Sequence, residues 1–242
     1  MKRLILTAAF LALTAGAALS QTVRIGTEGA YEPYNFIDQA TGKLAGFEIE
    51  LGNELCSRAG LTCEFVQNAW DSIIPNLQSG NYDAIMAGMS ITDERREVIA
   101  FTQNYVPPSA SLYLALAADA NTGAGAVVAA QTGTIQAAHV ASSGASLLEY
   151  ATPDETVAAV RNGEADAVFA DQEYLLPIAQ QSNGALVIAG EPVPLGGGVG
   201  IGMRQSDTEL TAKFDAAIQS MKDDGSLNAL LEKWFGANAN KF

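Results

Sequence analysis

Residues 77–86 read LQSGNYDAIM, and residues 160–169 read VRNGEADAVF. Each stretch ends a helical pattern at a glycine, turns through an aspartate and enters an apolar run, as a helix–loop–strand unit does. Two copies of such a unit predict two lobes of related α/β construction. An ordinary loop between a helix and a strand can also look like this, so the repeat alone leaves a single domain open.

Short β-rich runs alternate with helical patterns on both sides of these two stretches, which is typical of an α/β fold. The predicted strands cover residues 23–27, 63–67, 84–86, 112–116, 126–130, 167–170, 186–188 and 199–203. The predicted helices cover residues 46–59, 70–78, 93–99, 134–140, 156–162, 172–180, 207–223 and 226–235.

Two segments rich in proline or glycine connect the predicted lobes. One is Pro107-Pro108-Ser109, and the other is residues 191–198, EPVPLGGG. We expect the chain to leave lobe 1, build lobe 2 and return, because a pair of crossings is what a hinge requires. Lobe 1 then comprises residues 21–109 and 196–242, and lobe 2 comprises residues 110–195.

The composition excludes several classes of function. The chain has 242 residues, with 27 Asp and Glu against 13 Lys and Arg. A protein that binds nucleic acid through bulk charge needs clustered basic residues, so we expect no nucleic-acid partner. One His and two Cys are too few for a zinc site built from His and Cys, and we expect neither a metal nor a cofactor.

Residues 1–20 are typical of an export signal. Lys2 and Arg3 precede an uncharged apolar run over residues 4–19, and small residues at Ala18 and Ser20 suit a signal peptidase. The alternative is a membrane anchor, but the run is short for a bilayer span. We therefore expect a cleaved signal peptide and a soluble product in an oxidising compartment.

Cys56 and Cys63 are the only cysteines of the chain. Because export places them in an oxidising compartment, we expect a disulfide between them, closing a short loop between a helix end and the next strand. A redox-active pair is usually separated by two residues, and this pair is further apart, so we expect a structural role.

Residues 46–51, GFEIEL, followed by Leu55, Cys56 and Ala59, resemble the signature of the periplasmic solute-binding proteins of family 3, which bind polar amino acids for ABC importers. Other matching stretches follow in the family's order over nearly the whole chain after residue 20: residues 24–28, 70–71, 83–86, 90–95, 131–134, 166–167, 171 and 233–235. The binders of lysine, arginine and ornithine, of histidine and of opines are the most similar, and they also carry a short disulfide of this kind.

This resemblance implies the type II fold of periplasmic binding proteins, with a ligand cleft between two α/β lobes that close over one amino acid. It also implies a membrane permease as partner, and we expect a monomer. Open α/β sheets bind ligands beyond the carboxyl ends of their strands, where our candidate residues lie.

A free amino acid carries a carboxylate, and Arg95 is the candidate to bind it, because a guanidinium can donate two parallel hydrogen bonds. Thr92 is the predicted N-cap residue of the helix that carries Arg95. Backbone N–H groups at the helix start near Thr134, with the threonine hydroxyl, would hold the same carboxylate. The alternatives are a solvated arginine and an ordinary N-cap.

The ligand also carries an ammonium group, and Asp171, at the end of a predicted strand, is the candidate to pair with it. Ser90 and the backbone of Gly88 would add hydrogen bonds from lobe 1, and Met89 between them is included in the predicted set. For Asp171 the alternative role is a helix cap.

Specificity is expected to come from a side-chain pocket. Tyr31 and Trp70 could enclose an aliphatic stem or a guanidinium. Glu28 would then neutralise the distal positive charge, which cannot be buried alone. Glu48 is a second candidate acid, since its position in the family borders the same pocket. For the two aromatic residues, plain core packing is the alternative.

The chain departs from the lysine/arginine/ornithine pattern at Ala87 and Gly88, where serine is usual, and at Ile135, where a polar residue is common. These changes leave room for a bulkier ligand such as an opine. The alternative function is a periplasmic dehydratase of prephenate or arogenate on the same fold, which would need a general acid in the cleft. Asp171 argues against this enzyme, and we expect a binding protein. A detached sensor input domain is a third option.

Overall fold

The computed structural model describes residues 22–242, so the predicted export segment at residues 1–20 lies outside the described residues. The strands are β1 Val23–Thr27, β2 Ala30–Tyr31, β3 Asn35–Asp38, β4 Lys43–Ala45, β5 Cys63–Gln67, β6 Ala84–Ile85, β7 Ala100–Val106, β8 Ala110–Ala115, β9 Val127–Gln131, β10 Ser146–Tyr150, β11 Ala167–Asp171, β12 Val187–Pro194 and β13 Val199–Met203. The helices are α1 Phe47–Arg58, α2 Ile73–Gln78, α3 Asp93–Arg96, α4 Ile135–Ser143, α5 Pro153–Arg161, α6 Gln172–Gln181, α7 Thr208–Asp223 and α8 Ser226–Phe235.

Two five-stranded sheets share one topology. The first has the order β5-β1-β6-β13-β7, and the second has the order β10-β9-β11-β8-β12. In both, the first three strands are parallel, and the last two neighbour pairs are antiparallel. Strands β6 and β11, which end the two repeated sequence units, occupy the same position in their sheets. The prediction of two related α/β lobes is therefore confirmed.

Two connections join the sheets. Residues 107–109 lead from β7 of the first sheet to β8 of the second, and residues 195–198 lead from β12 back to β13. After each connection the chain enters the inner antiparallel strand of the next sheet, which is β8 in the second sheet and β13 in the first. We refer to the sheet containing β1 and its helices as lobe 1, and to the sheet containing β9 and its helices as lobe 2.

Several predicted elements differ from the structure. Helix α5 begins three residues earlier than predicted, because Thr152 and Glu155 form a capping box and Pro153 occupies the first turn. Strand β12 continues through the segment 191–194 that was predicted as a loop, with a bulge after Ala189. Helix α3 ends at Arg96, before the predicted residue 99.

The unpredicted strands are the small antiparallel sheet β2-β3-β4, strand β7 and strand β10. Strands β2 and β4 have 2 and 3 residues, which is too short for an alternation of apolar and polar side chains to be visible. In β7 the adjacent polar residues Gln103 and Asn104 interrupt the apolar pattern.

The predicted disulfide is present between Cys56 in α1 and Cys63 at the start of β5. Helix α1 buries Leu51 and Leu55 completely and packs against α7 and α8. Arg58 near its end donates hydrogen bonds to Glu54 and Asp224. No helix among residues 22–242 has the length and apolarity needed to cross a bilayer.

Replacing Cys56 and Cys63 together by serine should lower the free energy of unfolding by about 2 kcal/mol, because the loop that the disulfide closes is short. The cysteines are 7 residues apart. Urea denaturation measures the difference. A reducing agent should destabilise the wild type by the same amount and leave the double variant unchanged, whereas equal stabilities of the two proteins would contradict the structural role.

Candidate functional site

A cavity of about 480 Å³ lies where the carboxyl ends of the parallel strands of both sheets face each other. Glu28 directly follows β1, and residues 87–90 follow β6 in lobe 1. In lobe 2, Gln131 and Asp171 are the last residues of β9 and β11.

With the exceptions of Met89 and of the second candidate acid Glu48, every residue that we predicted for the site lines this cavity: Glu28, Tyr31, Trp70, Gly88, Ser90, Arg95, Thr134 and Asp171. The Met89 side chain is fully buried in a hydrophobic cluster with Leu77 and Ile85. Its neighbours Gly88 and Ser90 line the cavity, whereas the Met89 side chain points away from it into the core of lobe 1. The structure therefore does not bring the Met89 side chain to the site.

Arg95 provides the positive charge at one end of the cavity. The predicted N-cap is confirmed, since the Thr92 hydroxyl accepts a hydrogen bond from the Arg95 N–H at 3.1 Å. The guanidinium donates to the Ser90 carbonyl at 2.8 Å and, across the cleft, to the Gly133 carbonyl at 3.4 Å. Burial lowers the pKa of Arg95 to about 10, which leaves the group charged at neutral pH.

Ser90 and Thr134 also provide hydrogen-bond donors that have no partner among the described residues. Among the described residues, no hydrogen bond involves the N–H or the hydroxyl of Ser90, nor the N–H of Thr134. The Thr134 hydroxyl caps α4 by accepting from the Ala137 N–H, and it donates to the Gln131 carbonyl at 2.7 Å. Since that hydroxyl is already engaged, the backbone N–H is the donor that Thr134 can offer to an anion at the start of α4.

Asp171 brings a carboxylate into the cavity from lobe 2. It is the N-cap residue of α6, yet its side chain makes no capping hydrogen bond. Instead it accepts from the Gln136 amide and, across the cleft, from the Tyr31 hydroxyl, both at 2.8 Å. The pKa of Asp171 is raised to about 6, mainly by burial and also by the charge of Glu173, while these hydrogen bonds and the charge of Arg95 oppose the rise.

Glu28 brings a second carboxylate from lobe 1. Its side-chain oxygen Oε1 accepts a hydrogen bond from the Gln131 amide of lobe 2 at 2.7 Å. The pKa of Glu28 is raised to about 7, mainly by burial; the bond from Gln131 opposes the rise, and the negative charges of Asp154 and Asp71 contribute to it. A positively charged group beside this buried carboxyl group would stabilise its ionised form.

The two predicted aromatic residues differ in their surroundings. The Tyr31 ring stacks on Tyr174 at a centroid distance of 4.5 Å and on Tyr34 at 5.7 Å. The ring of Trp70, which lies in a single 3₁₀ turn, has the Arg95 guanidinium at 5.3 Å from its centroid. Both side chains face the cavity, and each is also held by neighbouring protein groups.

Glu48 does not line the cavity and lies behind its wall, fully buried. Its carboxylate accepts hydrogen bonds from the Gly88 N–H at 2.8 Å, from the Asn35 amide at 2.7 Å and from the Tyr105 hydroxyl. Our expectation that Glu48 borders the pocket is thus corrected. Its contact with Gly88 instead holds the backbone of the cavity wall, at a residue whose φ of 62° favours glycine.

Sequence reasoning missed several residues of the cavity wall: Gln131, Gln136, Pro153, Thr156 and Phe169. Gln131 directly follows the predicted strand at residues 126–130, at the edge where ligands bind, and this position could have indicated it. For Pro153, Thr156 and Phe169 we find no comparable signal in the sequence.

Among residues 22–242, no group of three or more His, Cys, Asp and Glu side chains is placed to hold a metal ion. The polar groups of the cavity are instead one guanidinium, two carboxylates, and amide and hydroxyl groups. This arrangement suits a small zwitterion with an additional positive charge.

Comparison with known proteins agrees with this chemistry. Residues 23–237 match the model of the bacterial extracellular solute-binding proteins, family 3. The lysine/arginine/ornithine-binding periplasmic protein of Escherichia coli K12 is 33% identical over 92% of this chain and 90% of its own. The octopine-binding periplasmic protein of Rhizobium meliloti is 32% identical over 97% of both chains.

A solved structure of a periplasmic His/Glu/Gln/Arg/opine family-binding protein from Silicibacter pomeroyi in complex with lysine is 66% identical, with a TM-score of 0.89. The match covers 91% of this chain and 100% of that chain. These relatives are binding proteins with the two-lobe fold, which agrees with the expected fold and does not support the dehydratase alternative. The chain is a member of the bacterial extracellular solute-binding proteins, family 3.

Proposed function

We propose that this protein is the periplasmic substrate-binding subunit of an ABC importer and captures a cationic amino acid or an opine by hinge closure. Arginine, lysine, ornithine and histidine are the candidate amino acids. The observation that carries the proposal is one cavity that holds the cation of Arg95 together with the carboxylates of Asp171 and Glu28. These charges are opposite in sign to the three charges of arginine, lysine or ornithine.

The carboxylate of the ligand would bind at Arg95, with the free donors of Ser90 and the Thr134 N–H. Its ammonium would pair with Asp171. The Gly88 carbonyl, which accepts no hydrogen bond from the described residues, would be a second acceptor for the ammonium. Because each charge then has a partner, the ligand can be buried without an isolated ion.

The side chain of the ligand would extend past Tyr31 and Trp70 towards Glu28. A positive group beside Glu28 stabilises its ionised form, which burial alone disfavours. A neutral side chain gives no such compensation. The geometry therefore favours arginine, lysine, ornithine or a cationic opine over a neutral amino acid.

The relatives support this ligand class. The Escherichia coli protein is named for binding lysine, arginine and ornithine, and the Rhizobium meliloti protein is named for binding octopine. The Silicibacter pomeroyi structure contains lysine. Ala87 and Gly88 give the wall of this cavity no side chain larger than a methyl group, which is compatible with an opine as ligand.

Closure would occur about the two connections between the sheets, with lobe 1 at residues 21–109 and 196–242 and lobe 2 at residues 110–195. Hydrogen bonds that cross the cleft join Tyr31 to Asp171, Gln131 to Glu28 and Arg95 to Gly133. A ligand that contacts both lobes shifts the equilibrium towards the closed form by its difference in affinity for the two forms.

The same proposal includes export through a cleaved signal peptide at residues 1–20, action as a monomer, and docking of the closed form on a membrane permease. The apolar run near the start of the sequence and the periplasmic relatives support the location. The family role supports the permease partner.

Replacing Arg95 by alanine should weaken binding of every amino acid ligand about a hundredfold, because a buried carboxylate would lose its charged partner. Isothermal titration calorimetry with arginine and lysine measures the change. Arg96→Ala is the matched control, since Arg96 is the exposed neighbour and does not line the cavity. Unchanged affinity of the Arg95→Ala variant would contradict the assignment.

Replacing Glu28 by glutamine should weaken binding of arginine and lysine about tenfold or more, and binding of the neutral glutamine much less. The side chain keeps its size and loses only the charge that faces the distal cation. Titrations with the three ligands on the same variant provide the comparison. Equal losses for all of them would remove Glu28 from the specificity role.

A further inference from the structure

Gln131 joins the two lobes at the distal end of the cavity. It is the last residue of β9 in lobe 2, and its amide donates to Glu28 Oε1 of lobe 1 at 2.7 Å. The same amide donates to the Ala151 carbonyl at 3.0 Å. Gln131 and Glu28 are buried at 9% and 7% exposure, so this bond is shielded from water.

We propose that Gln131 is a specificity-determining positioning residue that couples the charge of Glu28 to closure of the cleft. This inference rests on the proposed function and adds a mechanism for choosing cationic over neutral ligands. Gln131 acts through Glu28 and therefore needs no contact with the ligand.

The strength of the bond depends on the charge of its acceptor. A hydrogen bond to an ionised carboxylate is roughly twice as strong as one between neutral groups. A cationic ligand stabilises the ionised form of Glu28, so the bond from Gln131 is strongest when such a ligand is bound. A neutral ligand leaves Glu28 partly protonated at neutral pH, because its pKa is raised to about 7.

The ligand and Gln131 can bind Glu28 at the same time. Oε1 accepts from Gln131, while no hydrogen bond among the described residues uses Oε2. The second oxygen is thus available to a guanidinium or ammonium group. Because the bond to Gln131 joins the two lobes, ionisation of Glu28 adds directly to the stability of the closed form.

Other titratable groups act on Glu28 from neighbouring elements. Asp71 in the 3₁₀ turn and Asp154 in α5 raise its pKa, and the Tyr174 hydroxyl in α6 is held by Asp154 at 3.1 Å. Arg95 and Asp171 lie in the same cavity. Since these groups act for all ligands alike, the ratio of arginine affinity to glutamine affinity isolates the contribution of Glu28.

Gln136 provides a matched control. It is the same residue type in the same cavity wall, and its amide donates to Asp171 at 2.8 Å and to the Ser111 hydroxyl at 3.0 Å. All of these partners belong to lobe 2. Its replacement removes a donor from the ammonium site without removing a bond between the lobes.

The test is calorimetry with arginine and glutamine between pH 5.5 and 8.5 on the wild type, Gln131→Met and Gln136→Met. Gln131→Met should lose about tenfold in arginine affinity and no more than about threefold in glutamine affinity, because the lost bond is to a charged acceptor. Gln136→Met should change both affinities by the same factor.

The pH profile gives a second readout. Arginine binding requires ionised Glu28, so the ratio of arginine to glutamine affinity should fall as the pH falls through the pKa of Glu28. The bond from Gln131 lowers that pKa. Its loss in Gln131→Met should therefore move the midpoint to higher pH, and Gln136→Met should leave the midpoint in place.

If Gln131→Met loses arginine affinity and glutamine affinity equally, and the midpoint of the pH profile does not move, the inference is overturned. The proposed function would still stand in that case, provided that the wild type binds arginine. A wild type that binds no cationic amino acid would overturn both. Should Gln131→Met fail to fold, Gln131→Asn, which keeps the amide but shortens its reach, is compared in the same way. In a Glu28→Gln background, either change should have no further effect on the ratio.

Discussion

Charge cannot be buried without a partner, and this constraint explains how the cleft is built. The cavity encloses the guanidinium of Arg95 and the carboxylates of Asp171 and Glu28, each at least partly shielded from water. Burial shifts the pKa of all three towards the neutral form. A zwitterion with a positive side chain supplies the missing counter-charges, so binding relieves an electrostatic cost that the protein alone bears.

The division of these charges between the lobes links recognition to motion. Arg95 and Glu28 belong to lobe 1, whereas Asp171 and the start of α4 belong to lobe 2. In this structure one cavity brings all of them together. Behind the wall, the buried carboxylate of Glu48 fixes the Gly88 N–H and the Asn35 amide, and Asn35 in turn accepts from the Gly29 N–H at 2.7 Å. One rigid network thus supports both ends of the lobe 1 wall.

Local chemistry made much of this arrangement predictable. Polar residues that follow buried strands, such as Glu28 and Asp171, could be placed in the cleft because parallel strands end at one edge of a sheet. Thr92 could be recognised as an N-cap from its position alone. What could not be predicted depends on contacts between distant parts of the chain. The position of Gln131 after a strand could have indicated a place in the cleft, but only the folded structure brings the amides of Gln131 and Gln136 to Glu28 and Asp171.

The wrong predictions for Met89 and Glu48, and the unpredicted strands β2 and β4, also depend on contacts that the sequence does not show. Met89 is predicted with its neighbours Gly88 and Ser90, but it follows a bend at Ala87 and Gly88, and its side chain packs in the core. Glu48 carries the charge that the pocket could use, yet a fully buried position behind the wall is not visible from sequence spacing. The short strands β2 and β4 form by pairing with β3 rather than through a pattern of their own.

The most direct test of the account pairs a change in the protein with a change in the ligand. Arginine and 5-guanidinopentanoate, which lacks the α-ammonium, are titrated calorimetrically into the wild type and Asp171→Asn. The account predicts that Asp171→Asn weakens arginine binding about a hundredfold and leaves binding of the truncated ligand nearly unchanged, because only arginine loses a charged partner. Equal losses for both ligands would contradict the central claim that opposite lobes share the counter-charges of one amino acid.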